Sequence, residues 1–188
     1  MDNNDDDIKI VGDDISETLA ARKSNGEAAM AEELEKAQSL GLFDRARKLG
    51  TSMARAFEDT DCPPFPSDTG IAEDETVHRQ RRILLAFVAA SGFEMYLESM
   101  LAANAALNAF YDALKEKDQS LYDHLSSTGA FTFYYLALRR GQNVKQNIGK
   151  AFAMLCGKDG DTAYAAYGEA LFERFSNTVQ AAVEEENK

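Results

Sequence analysis

The chain has 188 residues, 45% of them apolar, with no long Gly/Ser or Pro repeat; this suits one folded domain, with or without an arm, and excludes a wholly disordered chain. Its 32 acidic and 20 basic side chains give a net charge of −12. A field of that sign repels nucleic-acid phosphates and anionic lipid headgroups, so neither nucleic acid nor membrane is an expected partner.

Residues 1–13 are acidic and read as a flexible arm, without the positive start and apolar run of a secretory signal. Cys62 and Cys156 are far apart and lack metal or redox spacing. A reducing, cytoplasmic location is therefore the expectation. Asp14 with Glu17 resembles a reciprocal N-cap for a first helix running to Lys23, before Ser24-Asn25-Gly26. Met30, Leu34 and Ala37 then share one helical face, and Gly41 ends that helix. The next stretch turns Ala46, Leu49, Met53 and Phe57 inward and Arg45, Arg47, Lys48 and Arg55 outward. The prolines at 63, 64 and 66 stop helix formation. Residues 60–74 accordingly read as a linker between N-terminal helices over 14–59 and a main bundle over 75–186.

The span 76–117 has no proline and one glycine, and between 83 and 111 its only charged residues are Glu94 and Glu98. It is long enough to cross a bilayer. Those carboxylates, several asparagines and the lack of a second comparably apolar segment argue instead for a central helix covered by neighbours. On a helical wheel Glu94 and Glu98 align with Ser91, Asn108, Asp112 and Lys115 as one solvent-facing stripe.

Ser120-x-x-Asp123 is expected to cap a short helix carrying Leu121 and Leu125. Thr128-Gly129 separates it from an aromatic helix that ends at Arg139-Arg140-Gly141, and Asn143-x-x-Gln146 caps the next. Val144, Ile148, Ala151, Phe152 and Leu155 stripe that helix, and Gly157 closes it. Asp161 opens the last helix, with Tyr164, Leu171, Phe175, Val179 and Ala182 inward. The fold class is all-α: an antiparallel helical bundle around a long central helix at about 76–117, with an N-terminal helical extension. Gly92, Gly149 and Gly168 fall inside helices, where close helix crossing is the expected compensation for their lower helix propensity.

The candidate metal ligands are three acidic or mixed pairs. Glu75-x-x-His78 is half of a di-iron bundle motif, since the other histidine, His124, has Leu121 in the glutamate position. Glu94 and Glu98 read as solvated. Glu169 and Glu173 would oppose them across two helices only at the cost of burying four carboxylates. None of these patterns defines a metal site, no cofactor is implied, and no phosphate loop or nucleophile elbow marks a catalytic residue. The basic run His78-Arg79-Gln80-Arg81-Arg82 lies against the macrodipole if its helix starts nearby. It requires acidic neighbours, or a helix that begins earlier, near Asp68. Phe131, Phe133, Tyr134 and Tyr135, followed by Arg139 and Arg140, mark either a ligand pocket or an interface. The expected function is a noncatalytic helical interaction or structural protein that binds itself or another protein. The alternative is a small-molecule-binding or carboxylate–metal enzyme with its site between the central and aromatic helices.

Overall fold

A computed structural model of the chain describes residues 41–59, 74–127, 129–139 and 141–186, with 31, 32 and 35 in addition. The acidic arm, the helix expected from Asp14, the stripe of Met30, Leu34 and Ala37, the prolines, Cys62 and Arg140 lie outside the described residues, as does the side chain of Phe57. The chain divides into two compact units, Met1–Gly41 and Leu42–Lys188. Within the second, the described residues form α1 (Leu42–Asp59), α2 (Glu75–Tyr96), α3 (Met100–Lys117), α4 (Gln119–Ser127), α5 (Ala130–Arg139), α6 (Val144–Leu155) and α7 (Thr162–Glu186), with no strand among them. The architecture is the all-helical bundle that the apolar periodicity implies.

Helix α1 buries Ala46, Leu49 and Met53 and exposes Arg45, Arg47, Lys48 and Arg55. Its buried face lies on α3, and Gly50 meets the backbone at Ala106 and Phe110, closer than any side chain would permit. Although its sequence groups it with the N-terminal helices, α1 falls in the same unit as the rest of the bundle.

The core is built on α2. Asp74 caps it, accepting from the Val77 N–H at 2.9 Å, and every residue from Ile83 to Phe93 is buried. Such a helix has no face to give to water, and α1, α3, α5, α6 and α7 all pack on it. The single helix expected over 76–117 is in fact two helices. Leu97 leaves helical geometry at φ −85°, ψ 134°, and Ser99 at φ −116°, ψ 131° caps α3 by accepting from the Leu101 N–H at 3.2 Å. The chain then reverses: the Phe93 and Phe110 rings lie 6.2 Å apart, whereas 17 positions along one straight helix would separate them by about 26 Å. Packing decides this, because α3 carries a one-sided stripe of Ala102, Ala103, Ala106, Phe110 and Leu114 that is buried only if it folds back.

The expected polar stripe is corrected at two of its members. Ser91 is buried, its hydroxyl donating to the Phe87 carbonyl at 2.9 Å, and Glu98 sits in the turn rather than on a helix. Glu94, Asn108, Asp112 and Lys115 are exposed. Two capping expectations also change. Asp118, not Ser120, caps α4, its carboxylate accepting from the Leu121 N–H at 2.9 Å. Asn143 precedes α6 in the left-handed region at φ 55° with no side-chain cap. The ends of α6 and α7 are as the residues imply. Gly157 at φ 70° closes α6, with the Lys158 N–H donating to the Ala153 carbonyl at 2.8 Å, and Asp161 accepts from the Ala163 N–H at 2.9 Å.

Helices α6 and α7 run antiparallel: Lys145 in the first turn of α6 pairs with Glu173, whereas Lys158, just past the end of α6, lies over the Tyr164 ring. Helices α2 and α7 run parallel, with Arg81 level with Tyr167 and Gly92 level with Val179. All three expected helical glycines mark close crossings. A Cβ at Gly149 would meet the Ala165 carbonyl oxygen, which cannot move without moving α7. Gly149→Ala should therefore lower stability by about 1–3 kcal/mol in denaturant unfolding despite its better helix propensity. Gly129→Ala, with nothing near its Cβ, should stay within about 0.5 kcal/mol of the parent.

Candidate functional site

Two surface features gather chemistry, and both arise from how α2 is covered. The first lies where the N-terminal turns of α2 meet the α3–α4 junction. Glu75, His78, Arg79 and Arg82 recur at three- and four-residue spacing and so share one face of α2. Because α3 folds back along α2, this face meets Asp118, Ser120, Leu121 and His124, and the two sets enclose a recess of about 270 Å³. Both histidines of the chain line it. Sequence spacing set His124 aside for want of a nearby glutamate, and only the reversal at 97–99 brings it opposite His78.

Asp118 organises this recess. Its carboxylate accepts from the Leu121 N–H and from the Arg82 guanidinium at 2.8 Å. The Leu121 hydrogen bond first, then Arg82, holds the carboxyl below its ordinary range against the opposing effect of burial. The acidic neighbour that the basic run requires is thus supplied by the α3–α4 junction, together with Asp74 and Glu75 in the first turn of α2. Helix α2 begins at Glu75, not near Asp68. Arg81, next in the run, donates to the Tyr167 hydroxyl at 3.4 Å.

The second feature is an apolar groove of about 320 Å³ between α5 and α6, lined by Phe133, Leu136, Ala137, Ala151 and Met154 with Asn147, Lys150 and Asp159 at its polar edges. Phe133 is 45% exposed, Leu136 52% and Met154 37%. The aromatic set expected to act together is divided. Tyr134 is fully buried, and Phe131 and Tyr135 pack edge-on against Phe87 at 5.6 and 5.0 Å. Only Phe133 reaches the groove, and Arg139 is exposed elsewhere on α5. A shallower recess of about 230 Å³ is lined by Tyr111, Tyr122, Leu125 and Phe131. There burial, then Tyr135, Glu94 and Tyr122, pushes the Tyr111 hydroxyl up to about 12.

The carboxylate pairs do not converge. Glu94 and Glu98 are exposed, and Glu173 is engaged by Lys145 across the α6–α7 crossing. The Glu169 side chain lies over Gly149. Among the described residues no three His, Cys, Asp or Glu side chains are grouped as a metal ion would require. Cys156 is a buried free thiol at the end of α6, pushed up to about 12 by burial and then by Asp74. Burial, then Cys156, likewise raises the Tyr134 hydroxyl. Neither group is poised for nucleophilic work. No described helix is long and apolar enough to cross a membrane. No protein-family model matches the chain, and no curated protein or solved structure is significantly similar to it.

Asp118 yields a prediction with a definite sign. Its carboxyl titrates lower in the folded chain than in the unfolded one, so its stabilisation is present above the ordinary aspartate value of 3.8 and is lost as pH falls through the lower folded value. Asp118→Ala should cost about 1–2 kcal/mol near neutral pH, from the lost cap and ion pair. The gap between parent and variant in urea unfolding should close as the solution is acidified below 3.8.

Proposed function

We propose that the chain is a noncatalytic helical interaction protein that pairs with a second copy of itself through the α5–α6 groove. The observation that carries this reading is the convergence of Phe133, Leu136 and Met154, three large and solvent-exposed apolar side chains, on one groove. A contiguous apolar surface of this kind favours association, because each residue is covered at little cost once a partner displaces the water. Methionine adapts to whatever surface meets it, which suits an interface built from two copies of one patch.

The edges of the groove support a copy of the same chain as the occupant. Lys150 and Asp159 both line it and carry opposite charge. In a two-fold pairing, contacts are reciprocal, so Lys150 of each copy can meet Asp159 of the other and neither charge is left facing its own kind. The alternative carboxylate–metal or small-molecule enzyme between the central and aromatic helices has less behind it. Tyr134 is buried in the core, Glu94 and Glu98 stand in solvent, Glu169 is half-buried over Gly149, and Glu173 pairs with Lys145.

Light scattering after gel filtration, over a range of protein concentration, should give the mass of a dimer. Leu136→Glu, at an exposed position, should convert it to a monomer with the helical circular dichroism unchanged. Lys150→Asp should weaken the dimer, and adding Asp159→Lys should restore it. A parent that is monomeric at every concentration, or a Leu136→Glu variant that dimerises as well as the parent, overturns the reading.

A further inference from the structure

We propose that the recess between the N-terminal turns of α2 and the start of α4 binds a small tetrahedral oxyanion of the phosphate or sulfate type. Its donors come from two helices: His78 and Arg79 from α2, and Ser120 and His124 from α4, with Arg82 at its wall. Guanidinium, imidazole N–H and hydroxyl groups are the donors that hydrogen-bond anionic oxygens, and guanidinium does so in a planar fork that matches two of them. Both helices also begin here, at Glu75 and Gln119, and α3 ends beside them at Lys117, so the positive ends of two macrodipoles act against the negative end of one.

The two carboxylates of the recess balance its two guanidiniums in formal charge, so its preference for an anion comes from the arrangement of its donors. Asp118 has one oxygen on the Arg82 guanidinium and the other on the Leu121 N–H, so it forms a neutral pair with Arg82 and fixes that side chain in place. Glu75 is exposed and is the one remaining negative charge in the lining. The net charge of the chain is also unevenly spread. Residues 1–41 hold 11 acidic and 4 basic side chains, a balance of −7, and residues 42–188 hold 21 and 16, a balance of only −5. At about 270 Å³ the recess falls just under the usual ~300–1,000 Å³ range of ligand sites, which suits an inorganic anion or a small monoester rather than a nucleotide. A divalent cation is the weaker choice, since no three potential ligands are suitably grouped among the described residues.

The test uses the full chain and the imidazole C–H resonances of its two histidines, assigned through His78→Gln and His124→Gln. Sodium sulfate should shift both resonances saturably, and sodium chloride at equal ionic strength should not. Arg79→Gln should weaken sulfate binding by about tenfold or more, the scale of one lost charge-assisted contact. Glu75→Gln should tighten it several-fold. Glu185→Gln supplies the control. Because α7 runs parallel to α2 with Tyr167 level with Arg81, Glu185 lies about 27 Å further along the axis and should change the affinity little. Inorganic phosphate and glycerol 3-phosphate, run in parallel, assign the source: equal binding points to the free anion, and tighter binding of the ester to an organic monoester. The proposal is overturned if sulfate gives no saturable shift, if chloride gives the same shift, if Arg79→Gln binds as the parent does, or if Glu75→Gln and Glu185→Gln tighten binding equally.

Discussion

The run from Ile83 to Phe93 has no polar side to turn outward, and that constraint organises the bundle. An α-helix with its side chains is about 10 Å across, so burying it on all sides takes several neighbours that come close to its backbone. Alanines at 86, 89 and 90 and Gly92 keep α2 narrow enough for that approach, and Val179 of α7 fills the space a Cβ at Gly92 would need. The one buried polar side chain of the run, Ser91, is satisfied within its own helix by the Phe87 carbonyl, so it requires nothing of its neighbours. Truncating a core side chain such as Phe87 would cost about 3–5 kcal/mol, a large share of the ~5–15 kcal/mol by which a domain of this size is stable.

The reversal at 97–99 follows from the same constraint. One uninterrupted helix over 76–117 would carry α3 away from α2 and leave both Phe93 and the stripe of α3 without cover. Breaking the helix forfeits a few backbone hydrogen bonds, and the Leu97 and Ser99 geometry recovers part of them through the Phe93 carbonyl and the Ser99 hydroxyl. Each recovered bond is worth about 1 kcal/mol net. The burial gained along Ala103, Ala106, Phe110 and Leu114 is far larger at about 1.5–3 kcal/mol for each large side chain covered.

That balance also explains what was legible in the residues and what was not. The inward faces of α1, α6 and α7, the Asp161 cap, the Gly157 closure and the three glycine crossings are local or periodic features, and the amino acids display them directly. The break near Ser99 carries no proline or glycine, and its apolar surroundings look the same whether the chain continues or turns. Ser120 and Asn143 resemble caps by spacing. The choice of Asp118 rests on its second partner, Arg82, 36 positions earlier, which no local pattern reveals. The candidate sites were legible in the same uneven way. The aromatic helix announces surface to be covered, but not that Tyr134 enters the core while Phe133 stays outside.

Charge and apolar surface end up separated on this bundle for a physical reason. The cationic start of α2 opposes its own macrodipole, and an unbalanced arrangement of that kind would favour fraying of the first turns. Asp74, Glu75 and Asp118 offset it locally, and Asp118 does so through an ion pair about a third exposed, at 31%. Such a pair in partial solvent contributes modestly by itself, but here one carboxylate also caps α4, so the same side chain fixes the start of one helix and the charge of another. Moving Asp118 would disturb both the start of α4 and the wall of the recess. Among the described residues that line the groove on α5 and α6, Lys150 and Asp159 are the charged ones, and both sit at its edges. The recess, by contrast, is tied to the start of α2 and the start of α4 by that one carboxylate.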